Sequence, residues 1–216
     1  MDSFTQFDGD LLIGIQNALN ADWLTPVMKV ITYFGEGGYF WIVLCLILLI
    51  FKKTRRLGIV CTFSLMLTFL CCNLINKPAV DRARPWEIFE AVKPFLPHPG
   101  DASFPRGHSA NAMGPAWGMF MATLPLKGEN GRSYDLVPCL GWQGTGADPK
   151  LMHRLSVALV VLGVLIGISR LYLGMHYPSD VICGLLLGMI CATVVYTVIT
   201  YIEKKRGRIL GAVKTE

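Results

Sequence analysis

Residues 169–180 read SRLYLGMHYPSD, from Ser169 to Asp180, and join two strongly apolar segments. The segment before, Leu155 to Ile168, approaches with its flanks the length of a membrane span. The segment after, Val181 to Ile202, is a full span. The charged residues therefore sit where one helix leaves a bilayer and the next enters it. Pro178 and Ser179 are good helix-start residues, which places His176 just outside the new helix and Asp180 in its first turn. A spacing of four can set the carboxylate beside the imidazole. A carboxylate at one ring nitrogen fixes the tautomer and leaves the other nitrogen nucleophilic. Arg170, at the end of the preceding helix, can hold two oxygens of an anion. Together these groups suit attack on phosphorus. Taken alone, they equally suit an interfacial His–Asp pair with Arg170 snorkelling to headgroups.

Composition favours a membrane setting. Of 216 residues, 53% are hydrophobic and 16% charged, against roughly one quarter charged in soluble domains. Apolar stretches at Gly38–Phe51, Leu57–Ile75, Ser109–Leu124, Leu155–Leu171 and Val181–Ile202 predict an all-α, polytopic membrane helical bundle. About five transmembrane helices are expected, plus an N-terminal interfacial helix within residues 1–36. Phe7, Leu11, Leu12, Ile15 and Leu19 are expected on one membrane-facing side of that helix. Asp22, Pro26 and the Gly35–Gly38 cluster interrupt any longer span, so a kinked or re-entrant hairpin is an alternative path. The chain reads as one domain. Its acidic start (Asp2, Asp8, Asp10) is unlike a cleavable leader, and the first long apolar run is expected to act as an uncleaved insertion signal. Six of seven cysteines fall in the apolar spans, as small packing residues do; Cys139 falls in a loop. No metal site is expected.

Two basic runs orient the chain, Lys52 to Arg56 and Lys204 to Arg208. Basic loops stay in the cytoplasm. The outer loops are then 76–108 and 172–178, and the inner ones 52–56 and 125–154. Seven of the 20 Lys and Arg fall outside: Lys29, Lys77, Arg82, Arg84, Lys93, Arg106 and Arg170. Most of these lie in the short motifs, which suggests an anionic ligand. The net charge of +5 reflects the orienting runs, and no nucleic-acid partner is expected. The Gly-rich stretch 128–150, with Trp142, has no chemical role in this reading.

Two further stretches face the same side. Lys77 to Pro85 reads KPAVDRARP, and Lys77 and Arg84 stand two helical turns apart. Pro78 is expected to open a short helix there and Pro85 to limit it. Phe104 to Ser109 reads FPRGHS and runs into the third span. Gly107 permits close backbone approach, and the amides that follow form an anion seat. His108 is expected at that helix start. Singly, each of these also suits headgroup contact or capping. The topology, however, brings Lys77, Arg84, His108, Arg170, His176 and Asp180 to one membrane face, where ionisable residues usually mark function.

The three motifs, KxxxxxxRP, PxGH and SRxxxxxHxxxD, resemble the signature of the type 2 phosphatidic acid phosphatase family, over about half the chain. The resemblance implies a helical bundle and a metal-independent phosphatase without a cofactor. It implies His176 as nucleophile, Asp180 as its orienting partner and His108 as general acid. Lys77, Arg84 and Arg170 become phosphate ligands, with the Gly107 amide beside them. One position departs: Arg106 stands where the family usually has a serine, and it either adds a cation suited to a diphosphate or points away and leaves a weaker pocket. The expected partners are the membrane and a lipid phosphate. The favoured substrate is undecaprenyl diphosphate at the outer face of the cell membrane. Phosphatidic acid, phosphatidylglycerol phosphate and lipid A phosphates are alternatives. The rival class is a non-catalytic phospholipid binder or transporter, which needs the cations but not two histidines and an aspartate.

Overall fold

The structure is a computed structural model that describes residues 3–19, 21–79, 83–95, 107–124, 126–127, 133–134 and 148–213. For 74–79, 126–127, 133–134, 149 and 206–213 it describes the backbone alone. The helices are α1 (Ser3–Leu19), α2 (Leu24–Tyr33), α3 (Tyr39–Ile50), α4 (Arg55–Ala79), α5 (Pro85–Ile88), α6 (His108–Thr123), α7 (Pro149–Tyr172) and α8 (Pro178–Val213). A two-residue antiparallel pair, β1 (Leu126–Lys127) with β2 (Ser133–Tyr134), is the described part of the stretch between α6 and α7. The fold is a helical bundle.

Helices occupy all five apolar stretches. Three are long and apolar enough to cross a membrane alone: Arg55–Asn73, Lys150–Tyr172 and Pro178–Lys205. The α2–α3 pair, bent by 42°, makes a fourth if it counts as one span. The bend falls where Gly37 and Gly38 take φ of 60° and 67°, a left-handed region open to glycine. Burial along α8 is inside out compared with a soluble helix. Ile182, Leu186, Ile190, Val194 and Val198 form an exposed stripe at helical spacing, the face a lipid-bathed helix presents.

α6 is the axis of the bundle. It has 16 residues, fewer than the ~20 a perpendicular span needs, and it packs against α4, α7 and α8. Small residues make this possible. A Cβ on Gly114 would lie 2.5 Å from Thr68 Oγ1, and one on Gly188 of α8 would lie 2.7 Å from the Ala110 carbonyl oxygen. Where lipid removes the hydrophobic drive between helices, such close backbone approach supplies the attraction. Gly188→Val should therefore push α8 off α6. Overpacking of this kind costs about 1–3 kcal/mol, so thermal unfolding in detergent should begin at lower temperature.

Two sets of contacts fix which ends meet. Arg56, at the start of α4, pairs with Glu203, late in α8, at 3.0 Å. Along α6, Gly107 approaches Cys72, Gly114 approaches Thr68 and Gly118 approaches Ser64, so α4 and α6 run antiparallel. The basic-run ends of α4 and α8 thus lie together. The start of α6, the end of α4, the end of α7 and the start of α8 gather at the opposite end.

Two local expectations need correction. Lys77 and Arg84 do not share a helix. α4 continues through Pro78 to Ala79, and Arg84 is extended (φ −70°, ψ 154°). The residue before a proline is pushed out of helical space, and Pro85 then opens α5. In α1, Leu12 is wholly buried while Phe4, Phe7 and Leu11 are exposed. Leu12 packs with Phe89, Val92 and Tyr177, so it belongs to the protein-facing side.

Candidate active site

Arg170 lies in the last turn of α7, where the helix C-terminus favours a cation. It is only 4% exposed. Its Nε and Nη2 have no hydrogen-bond partner among the described residues. A guanidinium so placed holds donors ready for oxygens that arrive from outside. The chain then turns sharply. Leu173 N–H donates to the Ser169 carbonyl, Gly174 N–H to Leu171 and Met175 N–H to Arg170, each at 3.0 Å. Gly174 has φ of 71°, and a Cβ there would also stand 3.0 Å from the Lys93 carbonyl oxygen. Only glycine serves at that corner.

The corner delivers His176 opposite His108. Their ring centroids are 6.4 Å apart with planes tilted by 54°, so both imidazoles belong to one cluster. Asp180, in the first turn of α8, accepts the Tyr177 N–H at 3.3 Å and so folds back over the turn. His108 is the first residue of α6, with Gly107 as its N-cap. The His108 Nδ1 has no partner among the described residues. A Cβ on Gly107 would lie 2.9 Å from Cys72 Sγ, so only glycine seats the start of α6 this close to α4. Arg84 reaches the group from the 83–95 segment. Its N–H donates to Glu87 Oε2 at 2.9 Å, and its guanidinium lies 5.0 Å from the Trp86 ring centroid. The charged groups acting on His108 are Arg170, His176 and Arg84.

The structure therefore gathers Arg84, Gly107, His108, Arg170, His176 and Asp180 from four separate segments. Lys77 belongs to the last turn of α4, at the same end, and its side chain lies outside the described residues. Arg106, Arg82, Cys139 and Trp142 also lie outside them. Sequence reasoning missed Asp8, Gln16 and Glu36. Asp8 and Gln16 hold the turn through side-chain hydrogen bonds. Their spacing of two helical turns, with Leu12 between, was the available signal. Glu36, in the glycine bend, is the acidic group whose charge acts on Arg170. The bend packs here too, since a Cβ on Gly35 would stand 3.8 Å from His108 Cβ.

Fold and site together define a multi-pass membrane protein with imidazoles and guanidinia converged at one end of its bundle. The chain belongs to the PAP2 superfamily, whose sequence profile matches residues 56–204. It is 30% identical over 165 residues to an undecaprenyl-diphosphatase of Sulfolobus acidocaldarius, covering 76% of this chain and 66% of that protein. It is 29% identical over 182 residues to a lipid A 1-phosphatase of Rhizobium johnstonii, covering 74% and 62%. The chain thus spans just under two thirds of the length of these two relatives. A crystal structure of a transmembrane PAP2 type phosphatidylglycerolphosphate phosphatase from Bacillus subtilis superposes with a TM-score of 0.63 at 24% identity, covering 93% of this chain and 89% of that one.

Proposed function

We propose that the protein is a membrane lipid phosphatase that works through a phosphohistidine. The observation that carries this reading is the pairing of His108 and His176, ring centroids 6.4 Å apart, with a buried Arg170 that has unpartnered donors among the described residues. A phosphate ester repels nucleophiles, so its oxygens must first be offset by cations. Arg170, Arg84 and Lys77 supply these, with the Gly107 amide at the start of α6. Neutral His176, oriented by Asp180, attacks phosphorus; the N–P bond forms as the bond to the leaving oxygen breaks. Protonated His108 gives its proton to that oxygen. An anion between the cations favours this protonated form. Neutral His108 then takes a proton from water, which attacks phosphorus, releases phosphate and frees His176. No step requires a metal.

The favoured substrate is undecaprenyl diphosphate, converted to the monophosphate at the outer face of the cell membrane. Support comes from the undecaprenyl-diphosphatase likeness and from the site's position at the bundle end away from the basic runs. Hydrolysis of added substrate by sealed right-side-out vesicles, and not by inverted ones, checks the facing. Lipid A and phosphatidylglycerol phosphates are the second reading, favoured by the other two likenesses. A non-catalytic binder would leave the second histidine and the aspartate without work.

The deciding experiment measures inorganic phosphate released from each of these lipids in detergent with EDTA present. Undecaprenyl diphosphate should be turned over fastest. If EDTA abolishes release, or if no lipid is cleaved, the reading is wrong. Arg106→Ser belongs in the same series. A charge-assisted hydrogen bond is worth about 1.5–3 kcal/mol, so its loss should shift preference from diphosphate towards monophosphate lipids about tenfold or more. An unchanged ratio would show that Arg106 does not select.

A further inference from the structure

The first helix is fastened to the site by an unusual contact. α8 begins at Pro178, so its cap position is Tyr177, a residue with no side-chain acceptor suited to the role. The capping carboxylate comes from elsewhere. Asp8 Oδ1, 171 residues away in sequence, accepts the Ser179 N–H at 3.1 Å. Asp8 Oδ2 accepts the Ser179 hydroxyl. Asp8 is buried, 3% exposed, at the positive end of the α8 dipole, where a carboxylate is favoured. Two turns further along α1, Gln16 grips the other side of the same corner. Its Nε2 donates to the carbonyls of Tyr172 (2.9 Å) and Lys93 (3.1 Å), and its Oε1 accepts the Lys93 N–H at 3.3 Å. Leu12, between them, packs on Tyr177. One face of α1 thus holds the turn that carries His176 and the 83–95 segment that carries Arg84.

We propose that Asp8 is a positioning residue: by capping α8 from α1, it holds His176 and Asp180 in the register that attack on phosphorus requires. This rests on the phosphatase reading above. It also gives a task to a helix that precedes the family match, which starts at residue 56. Two bonds from one carboxylate to the N–H and hydroxyl of Ser179 fix both the height and the rotation of the first turn. Asp180 is the next residue and His176 stands three before, so neither can shift without breaking the hold. Arg170 is set by the last turn of α7 and Arg84 by the 83–95 segment, which Gln16 rather than Asp8 grips.

That separation supplies the test. Inorganic phosphate needs only the cations, whereas vanadate mimics the transition state and needs the nucleophile in line. The full chain is purified in detergent as wild type, Asp8→Ala, Asp8→Asn and Ser179→Ala. Misplacement by about 1 Å can cost ~100-fold in rate, so Asp8→Ala should lower kcat by about 30- to 100-fold. Vanadate inhibition should weaken by a similar factor while phosphate inhibition stays within about twofold. Asp8→Asn, which keeps an acceptor for the Ser179 N–H, should restore much of the rate, and Ser179→Ala should fall between. Ser179→Ala carries the same comparison if Asp8→Ala does not fold. A kcat for Asp8→Ala within about threefold of wild type sinks the proposal, as does equal weakening of phosphate and vanadate. An inactive wild type removes the phosphatase reading itself; an active wild type with an unaffected Asp8→Ala removes the positioning role alone.

Discussion

His176→Ala should release no measurable phosphate from any lipid substrate. Removing a nucleophile from a coupled acid–base pair costs on the order of 10⁴- to 10⁶-fold. Nothing else in the described site replaces it, because His108, its ring centroid 6.4 Å away, is assigned to the leaving-group side of the proposed path. The variant should still fold: His176 is half-buried in a turn held by backbone hydrogen bonds on its flanks. It should also still bind inorganic phosphate, since the cations remain. Rapid alkaline quench with labelled substrate should trap the label on the wild-type protein and leave His176→Ala unlabelled. Full activity in the variant would overturn the mechanism and leave the fold untouched.

Arg170→Met should be nearly as severe and should move stability the other way. A guanidinium that stabilises a transferring phosphoryl group is worth about 10³- to 10⁵-fold. The loss should appear mostly in kcat, because the charge is met most strongly in the transition state. Without a bound anion, however, Arg170 is a buried cation with two nitrogens that have no partner among the described residues. An apolar side chain there removes the cost of holding a buried charge without hydrogen-bond partners. Arg170→Met should therefore unfold at a higher temperature than wild type while losing activity. A ligand at 100 times its Kd adds about 2.7 kcal/mol, so vanadate should raise the wild-type unfolding temperature and leave that of Arg170→Met nearly unchanged. A variant both inactive and destabilised would mean that Arg170 is a packing residue rather than a substrate ligand.

Much of this site is legible in the chain because its chemistry is written in short ordered motifs. Residues 169–180 contain a cation, a histidine and an aspartate at a helix boundary, and proline and glycine mark that boundary locally. Helical spacing misplaces Lys77 against Arg84 because the helix ends at Ala79, before Arg84 is reached. The rule that an arginine before proline is extended was already available, and the structure obeys it. Leu12 was assigned to the wrong side for a different reason. A helix with apolar residues on two faces has no local preference for which one meets protein, and Phe89, Val92 and Tyr177 decide it.

By itself, then, the sequence determined that the chain is helical and membrane-embedded, and which residue types arrive at helix ends. Hydrophobic length, proline and glycine act over a few residues, so they can be read without knowing what lies opposite. Only the tertiary structure decided that α6 runs through the middle of the bundle, that the rings of two histidines from distant segments lie close together, and that Asp8 caps a helix 171 residues away. These depend on backbones approaching closely enough for glycine alone to fit, and on polar groups finding partners across the fold. No local pattern specifies such partners, because their energy exists only once distant segments are in contact.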